Sequence, residues 1–180
     1  MTTSATAADI LRERAEALAT PPEEAITASE RIAVVEFRLG SDSYGLPLGN
    51  VREVAPLQHF TPVPSTPAWL LGLMNLRGEI IAIVDLRHLF DLPGRGLSDL
   101  NHVLVLHTAE MDLGILADDI LGTRSIPLSA LVSPRSSLGT IDAAYLRGVS
   151  ATGINVLDAT LLSAHPALRV RHLPEKNRAP

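Results

Sequence analysis

The side chains able to do chemistry in this chain are few and poorly grouped. Six histidines, His59, His88, His102, His107, His165 and His172, are scattered over 180 residues. None stands at i, i+4 around a glutamate, the spacing that lets one helix face hold zinc beside a general base. His102 and His107 bracket one apolar stretch and, five apart on a strand, point to opposite sides of it. Asp118-Asp119 is the obvious carboxylate pair, and two close carboxylates can share a proton for acid/base work. Adjacent strand residues face opposite ways, however, so the pair reads as a strand end and turn. A serine on a G-x-S-x-G elbow is absent, and Gly94-Arg95-Gly96 is a lone fragment of a phosphate-binding loop. With no cysteine there is no thiolate, disulfide or cysteine zinc site. The expectation is a protein that is not an enzyme and that carries neither metal nor organic cofactor.

Arg77 is the exception. It lies in Asn75-Leu76-Arg77-Gly78, ahead of the apolar run Ile80, Ile81, Ala82, Ile83, Val84 and then Asp85-Leu86-Arg87. That order reads as strand, tight turn, buried strand, and an aspartate able to cap a short helix. A two-residue turn of this kind ordinarily carries Asn-Gly or Asp-Gly. Arginine is costly in side-chain entropy there, and its planar fork suits a partner's carboxylate or a backbone carbonyl. It is either a binding residue or a turn residue, solvated or paired within the chain. The block as a whole is scaffold with a presented surface, which points to binding rather than catalysis.

Presenting such a surface takes a core. Apolar residues make up 46% of the chain and aromatics 3%, so the core is aliphatic and large enough for one domain or two small ones. A net charge of -5 argues against nucleic acid, whose phosphates demand a basic face. The scarcity of aromatics leaves little for stacking on bases. The first nine residues lack the charged and apolar regions of a signal peptide, and no apolar run approaches the ~20 residues that cross a bilayer. The expected setting is cytoplasmic, without membrane insertion.

Residues 6–19 read as a helix, with a capping box at Thr6-Ala7-Ala8-Asp9 and a thin stripe of Ile10, Leu11 and Leu18. It either docks on the body or serves as an interaction element. Residues 20–30, with Pro21-Pro22 and Glu23-Glu24, are a linker, so residues 1–30 form a separate segment. From Arg31 the period becomes two. Ala33, Val35, Phe37 and Leu39 face one way and Val34, Glu36 and Arg38 the other, as in a half-buried strand. Gly40 to Ser43 turns the chain into Tyr44, Leu46 and Leu48, where Pro47 implies an edge or a bulge. Residues 50–56 form a short segment with room for one helical turn. Further strands are expected at 70–74, 79–84, 102–107, 113–120, 145–149 and 154–157. Asp85 and Asp158 each cap a helical turn, and 129–144 are a loop. The tail from His165, polar and punctuated by proline, reads as flexible. The body thus spans 31–164, with a division between two β subdomains near 66–70.

An internal echo suggests two modules. Leu76-Arg77-Gly78, Ile83-Val84-Asp85, Leu86 and Leu89 parallel Leu146-Arg147-Gly148, Val156-Leu157-Asp158, Leu161 and Leu162. This is either a repeat or a coincidence of short apolar motifs. Many short strands at close spacing, without alternating long helices, make the fold class all-β, a barrel or sandwich, and argue against a Rossmann-like sheet.

Taken together, the motifs resemble one family. Arg31-Ile32 through Tyr44-Gly45-Leu46, Val51-Arg52-Glu53-Val54, Thr61-Pro62-Val63-Pro64, Pro67-Ala68-Trp69-Leu70-Leu71-Gly72, Asn75-Leu76-Arg77-Gly78 and Val84-Asp85-Leu86-Arg87 occur in the order seen in the CheW family of bacterial chemotaxis coupling proteins. Gly114-Ile115-Leu116-Ala117-Asp118, Tyr145-Leu146-Arg147-Gly148 and Leu157-Asp158 resemble that family's later strand and closing hairpin, so the resemblance covers roughly residues 31–163. It implies two small five-stranded, SH3-like barrels packed together, and an adaptor without catalysis or cofactor. The implied partners are the cytoplasmic tip of a chemoreceptor and the regulatory domain of a CheA-type histidine kinase. By position, it implies that Val51, Glu53, Val54, Leu76 and Arg77 stand at the partner-facing surface, which Gly72, Asn75 and Gly78 shape. Val103 and Leu113 match apolar positions of the second barrel tied to kinase coupling. Glu53 and Arg77 are expected to pair on one face, beside an apolar patch of Val51, Val54 and Leu76. Ala82 stands where the family has proline, the final hairpin at 150–155 is short, and the N-terminal helix is an addition. These departures leave a non-flagellar chemosensory-like pathway as open as flagellar chemotaxis. A small-ligand sensor with a pocket between the barrels is the alternative of another class.

Overall fold

Alternating apolar residues build most of the strands. The computed structural model describes residues 31–93, 97, 101–134 and 141–168. The chain divides into two units, Met1–Arg31 and Ile32–Pro180, and the expected N-terminal helix and linker lie outside the described residues. The strands are β1 (Arg31–Leu39), β2 (Asp42–Pro47), β3 (Val51–Pro56), β4 (Phe60–Thr61), β5 (Leu70–Leu76), β6 (Glu79–Val84), β7 (His102–His107), β8 (Asp112–Ala117), β9 (Asp119–Pro127), β10 (Leu146–Val149) and β11 (Asn155–Leu157). Two short helices, α1 (Leu86–Leu89) and α2 (Ala159–Ser163), follow β6 and β11. Asp85 and Asp158 cap them as expected, with side chains accepting from Arg87 N and from Thr160 N and Leu161 N.

The strands form two sheets, in the orders β10-β11-β2-β1-β9 and β3-β7-β8-β6-β5-β4. The all-β class with two subdomains is as expected. The second sheet carries a sixth strand of two residues, and both are sheets rather than closed barrels. Apart from β4, the two have the same order, with β10-β11-β2-β1-β9 matching β5-β6-β8-β7-β3. Each has its parallel pairing at the same place, Val156 beside Gly45 in one and Val84 beside Ile115 in the other. The chain is therefore two repeats that exchange parts: each sheet joins the leading hairpin of one repeat to the closing strands of the other. The expected division near 66–70 falls instead between β4 and β5, neighbours in one sheet. No single cut separates sheets that both halves of the chain build.

The echo proves to be a repeat, six residues out of the register expected for its first half. Gly148 pairs with Val156 across a bulge after Leu146, as Gly72 pairs with Ile83 across a bulge after Leu70. Asp158 N donates to the Tyr145 carbonyl as Asp85 N donates to that of Trp69. Leu146-Arg147-Gly148 thus matches Leu70-Leu71-Gly72, not Leu76-Arg77-Gly78.

Several boundaries differ from expectation. Strand β1 is buried on both faces: Val35, Phe37 and Leu39 enter a central cluster with Leu104, Leu106 and Ile115, while Ile32 and Val34 enter a second with Ile126 and Val156. Glu36, counted as outward, is buried and paired with Arg124 Nε at 2.8 Å. The central cluster draws on both sheets, with Phe37 and Leu46 from one and Leu104 and Ile115 from the other. Strand β2 is internal, and Pro47 is its last residue, opposite Val34. Val51–Pro56 is a strand, preceded by a 3-10 turn at Leu48–Asn50. The chain does not end its strand at Ile120 but crosses over at Asp118 and runs on as β9, whose mostly exposed residues show no apolar period. The body also passes residue 165: the His165 ring lies 5.5 Å from Phe90 and 5.1 Å from Tyr145, and Leu168 is buried in the central cluster.

A buried ion network fastens the sheets to each other. Arg87 is 4% exposed and gives Nε and Nη2 to Asp85, at 2.9 and 2.8 Å, and Nη1 to Asp118 at 2.6 Å. Asp118 also accepts from Gly40 N in the β1–β2 turn at 2.7 Å and from Asn101 Nδ2 at 3.2 Å. Burial pushes the Asp85 carboxyl up, but the hydrogen bonds and charge of Arg87 outweigh it and hold that carboxyl below the usual range. The expected strand-end role of Asp118 is correct, and its partner Arg87 adds to it. A buried charge costs several kcal/mol unless its hydrogen bonds are met, and here the crossover and the turn meet them.

Candidate partner-binding face

The β5–β6 hairpin turns on two residues, Arg77 and Gly78, with φ of +54° and +92°. Positive φ at both central positions defines the type I′ turn whose twist matches that of antiparallel strands. Asn75 Oδ1 accepts from Gly78 N at 2.8 Å and braces it. Gly78 meets the demand freely, whereas Arg77 carries a backbone cost of about 1–3 kcal/mol. Its side chain is 82% exposed, with Nε 3.1 Å from Glu53 Oε2 on β3. The expected Glu53–Arg77 pair is present, on one face.

Behind this pair stands Arg52, also on β3. Its Nη1 meets Glu79 Oε2 at 2.7 Å and Asp112 Oδ2, and its Nη2 lies 3.9 Å from Glu53 Oε1. Asp112 Oδ1 in turn meets His107 Nδ1 at 2.6 Å, and Asn50 Nδ2 donates to the His107 carbonyl at 3.2 Å. A run of opposite charges thus extends from the hairpin turn to the β7–β8 end. Arg52, Glu53, Leu76, Arg77 and Glu79 line an open cleft of about 390 Å³. A second hollow of about 290 Å³, lined by Ala55, Pro56, Gln58, His59, Met74, Asn75 and Leu76, shares Leu76 with it. Val54 is 39% and Ile80 63% exposed, large apolar side chains on the strands that bear Glu53 and Glu79.

The face therefore gathers Glu53, Leu76, Arg77, Asn75 and Gly78, and corrects the rest of the expected set: Val54, next to Glu53 on β3, alternates to the strand's exposed side and lines neither hollow. Val51 is half-buried against the central cluster. Val103 is fully buried among Met74, Ile83, Val105 and Leu116, and Leu113 is buried in the central cluster, so neither touches a partner in this arrangement. Gly72 is buried as well: a Cβ there would stand 2.5 Å from the Thr61 carbonyl oxygen. These three shape the second sheet from within. Sequence reasoning missed Arg52, Glu79 and Asp112. The one available signal was the alternation of charge in Arg52-Glu53, since the other members sit on strands that only the sheet order brings together. Among the described residues, no group of three or more His, Asp or Glu is placed to hold a metal, and no helix is long and apolar enough to cross a membrane.

A β scaffold that spends its charged side chains on an open face is a docking module. The family model of the CheW-like domain matches residues 33–166, and the chain belongs to that family. It is similar to the chemotaxis protein CheW of Treponema pallidum, 32% identical over 132 residues that cover 71% of this chain and 78% of that protein. Protein FrzA of Myxococcus xanthus is 32% identical over 113 residues, 63% of this chain and 70% of its own. Protein PilI of Pseudomonas aeruginosa is 25% identical over 64% of this chain and 65% of its own. Among solved structures, the scaffolding protein TtCheW from Thermoanaerobacter tengcongensis superposes with a TM-score of 0.64 at 28% identity, covering 71% of this chain and 84% of that one. The chain is a CheW-like adaptor of chemotaxis-type signalling.

Proposed function

We propose that the protein couples a chemoreceptor tip to the regulatory domain of a CheA-type histidine kinase, in the cytoplasm, through the face formed by β3 and the Arg77-Gly78 turn. It does so without turnover or cofactor. The observation that carries this reading is Arg77 itself. An exposed arginine held in a left-handed backbone conformation gives the turn nothing that asparagine would not give at lower cost. An ion pair this exposed adds only about 0–1 kcal/mol to stability. What the Glu53 contact supplies is orientation, leaving a planar fork beside Leu76 ready for a partner's carboxylate. The relatives include FrzA and PilI as well as proteins named CheW, so the reading extends to chemosensory pathways other than flagellar chemotaxis. Titrating the full chain against a kinase regulatory domain and a receptor-tip fragment tests it. Binding to both, weakened by Arg77→Ala, supports the reading; an Arg77→Ala variant that binds both normally refutes it.

A further inference from the structure

Three carboxylates from three strands surround one guanidinium at the charged end of the second sheet. Glu53 follows Arg52 on β3, Glu79 opens β6 and Asp112 opens β8. Arg52 does not share itself evenly among them. Its Nη1 is engaged by Glu79 and Asp112, while Glu53 lies 3.9 Å away, against 3.1 Å from Arg77. Glu79 sits two residues beyond Arg77 with its side chain 63% exposed. Without Arg52, Glu79 is left to compete with Glu53 for the exposed Arg77 guanidinium, and Asp112 keeps only His107 among its partners named above. Like charges at such spacing repel, and an arginine pulled toward Glu79 folds back along its own hairpin.

We infer that Arg52 is a positioning residue of the docking face: by holding Glu79 and Asp112 it leaves Glu53 to orient Arg77, and so aims the Arg77 fork at a carboxylate of the docking protein. This rests on the reading of that face given above. The planar fork of arginine spans several carboxylates at once, which the single ammonium of lysine does only in part.

The test begins with the free full-length chain. Side-chain 15N NMR of Arg77 should show its Nε–H displaced from its position in the unaltered chain in Arg52→Met, as in Glu53→Gln, with partial recovery in Arg52→Lys. An Arg77 signal unchanged in Arg52→Met overturns the inference, whatever the partner does. Affinity for the kinase regulatory domain then closes a double-mutant cycle. Arg52→Met and Arg77→Ala each weaken binding, and the pair together falls within about twofold of Arg77→Ala alone, because one acts through the other. Losses that simply multiply overturn the positioning role while leaving the Arg77 face standing. Normal binding by Arg77→Ala instead removes the face, a failure visible apart from the NMR result.

Discussion

Arg77 occupies a backbone conformation that asparagine accepts more readily. Arg77→Asn should therefore raise stability by up to about 1 kcal/mol while weakening partner binding by about tenfold or more, since truncated central arginines cost ≥ ~2 kcal/mol. Urea unfolding and a binding isotherm on the same variant read both effects, and a less stable variant would contradict the strain argument. Asp85 offers a second residue-level prediction. Its folded pKa lies below the unfolded value of about 3.9. The stability it contributes is therefore complete above that value and is lost as pH falls through the folded pKa. Arg87→Met strands the carboxylate in the interior, at a cost of about 3–5 kcal/mol near neutral pH. In that variant burial acts without its counterweight and pushes Asp85 up, so the penalty should shrink as pH falls. Urea midpoints of both proteins, compared at about pH 7 and about pH 4.5, check the sign; a difference independent of pH would count against it.

At the scale of elements, the β5 bulge decides how the docking hairpin is held. At Gly72 the β5 backbone passes so close to β4 that a Cβ would stand 2.5 Å from the Thr61 carbonyl oxygen, and that neighbour is backbone, with little freedom to yield. Gly72→Ala should cost about 1–3 kcal/mol and displace β4, lowering the melting temperature and shifting the amide resonances of Phe60 and Thr61. Retention of both would mean the bulge tolerates a side chain. At the matching bulge a Cβ on Gly148 would stand 3.0 Å from Leu131 Cβ and 3.1 Å from the Val132 carbonyl oxygen. The repeat thus preserves the device in both sheets, although only the β5–β6 copy leads into an arginine turn.

At the scale of the molecule, exchange of hairpins makes the two halves of the chain interdependent. Ile32 and Val34 of the first repeat pack on Ile126, Ile154 and Val156 of the second, while Val103, Val105 and Leu116 of the second pack on Met74 and Ile83 of the first. Fragments 31–93 and 101–168, made separately, should each lack a cooperative unfolding transition, and mixing them should restore one. Circular dichroism melts of the fragments alone and together give the answer, and either fragment melting cooperatively by itself would refute the intertwined account. The Arg87–Asp118–Gly40 contacts add to this interdependence, since they join α1, the crossover to β9 and the β1–β2 turn at one buried point.

Features set by a few contiguous residues were legible in the sequence: the Arg77-Gly78 turn, the Asp85 and Asp158 caps, the strands with period-two or continuous apolar runs, and the all-β class. Each depends on local sterics and on one side chain reaching one neighbouring amide, and family resemblance supplied the pairing of Glu53 with Arg77. Tertiary structure alone decided which sheet each hairpin joins, and everything that follows from that choice. It turned Glu36 inward to Arg124, set Val103 and Leu113 inside the protein, continued the chain as β9 and drew Leu168 into the core. It also gave Arg52 its carboxylates on β6 and β8, and Arg87 its partner 31 residues away. Alternation tells which residues share a face of their own strand. Whether that face meets water, the other sheet or an opposite charge is settled by strand order, and strand order is a property of contacts between distant segments that leaves no period in the chain.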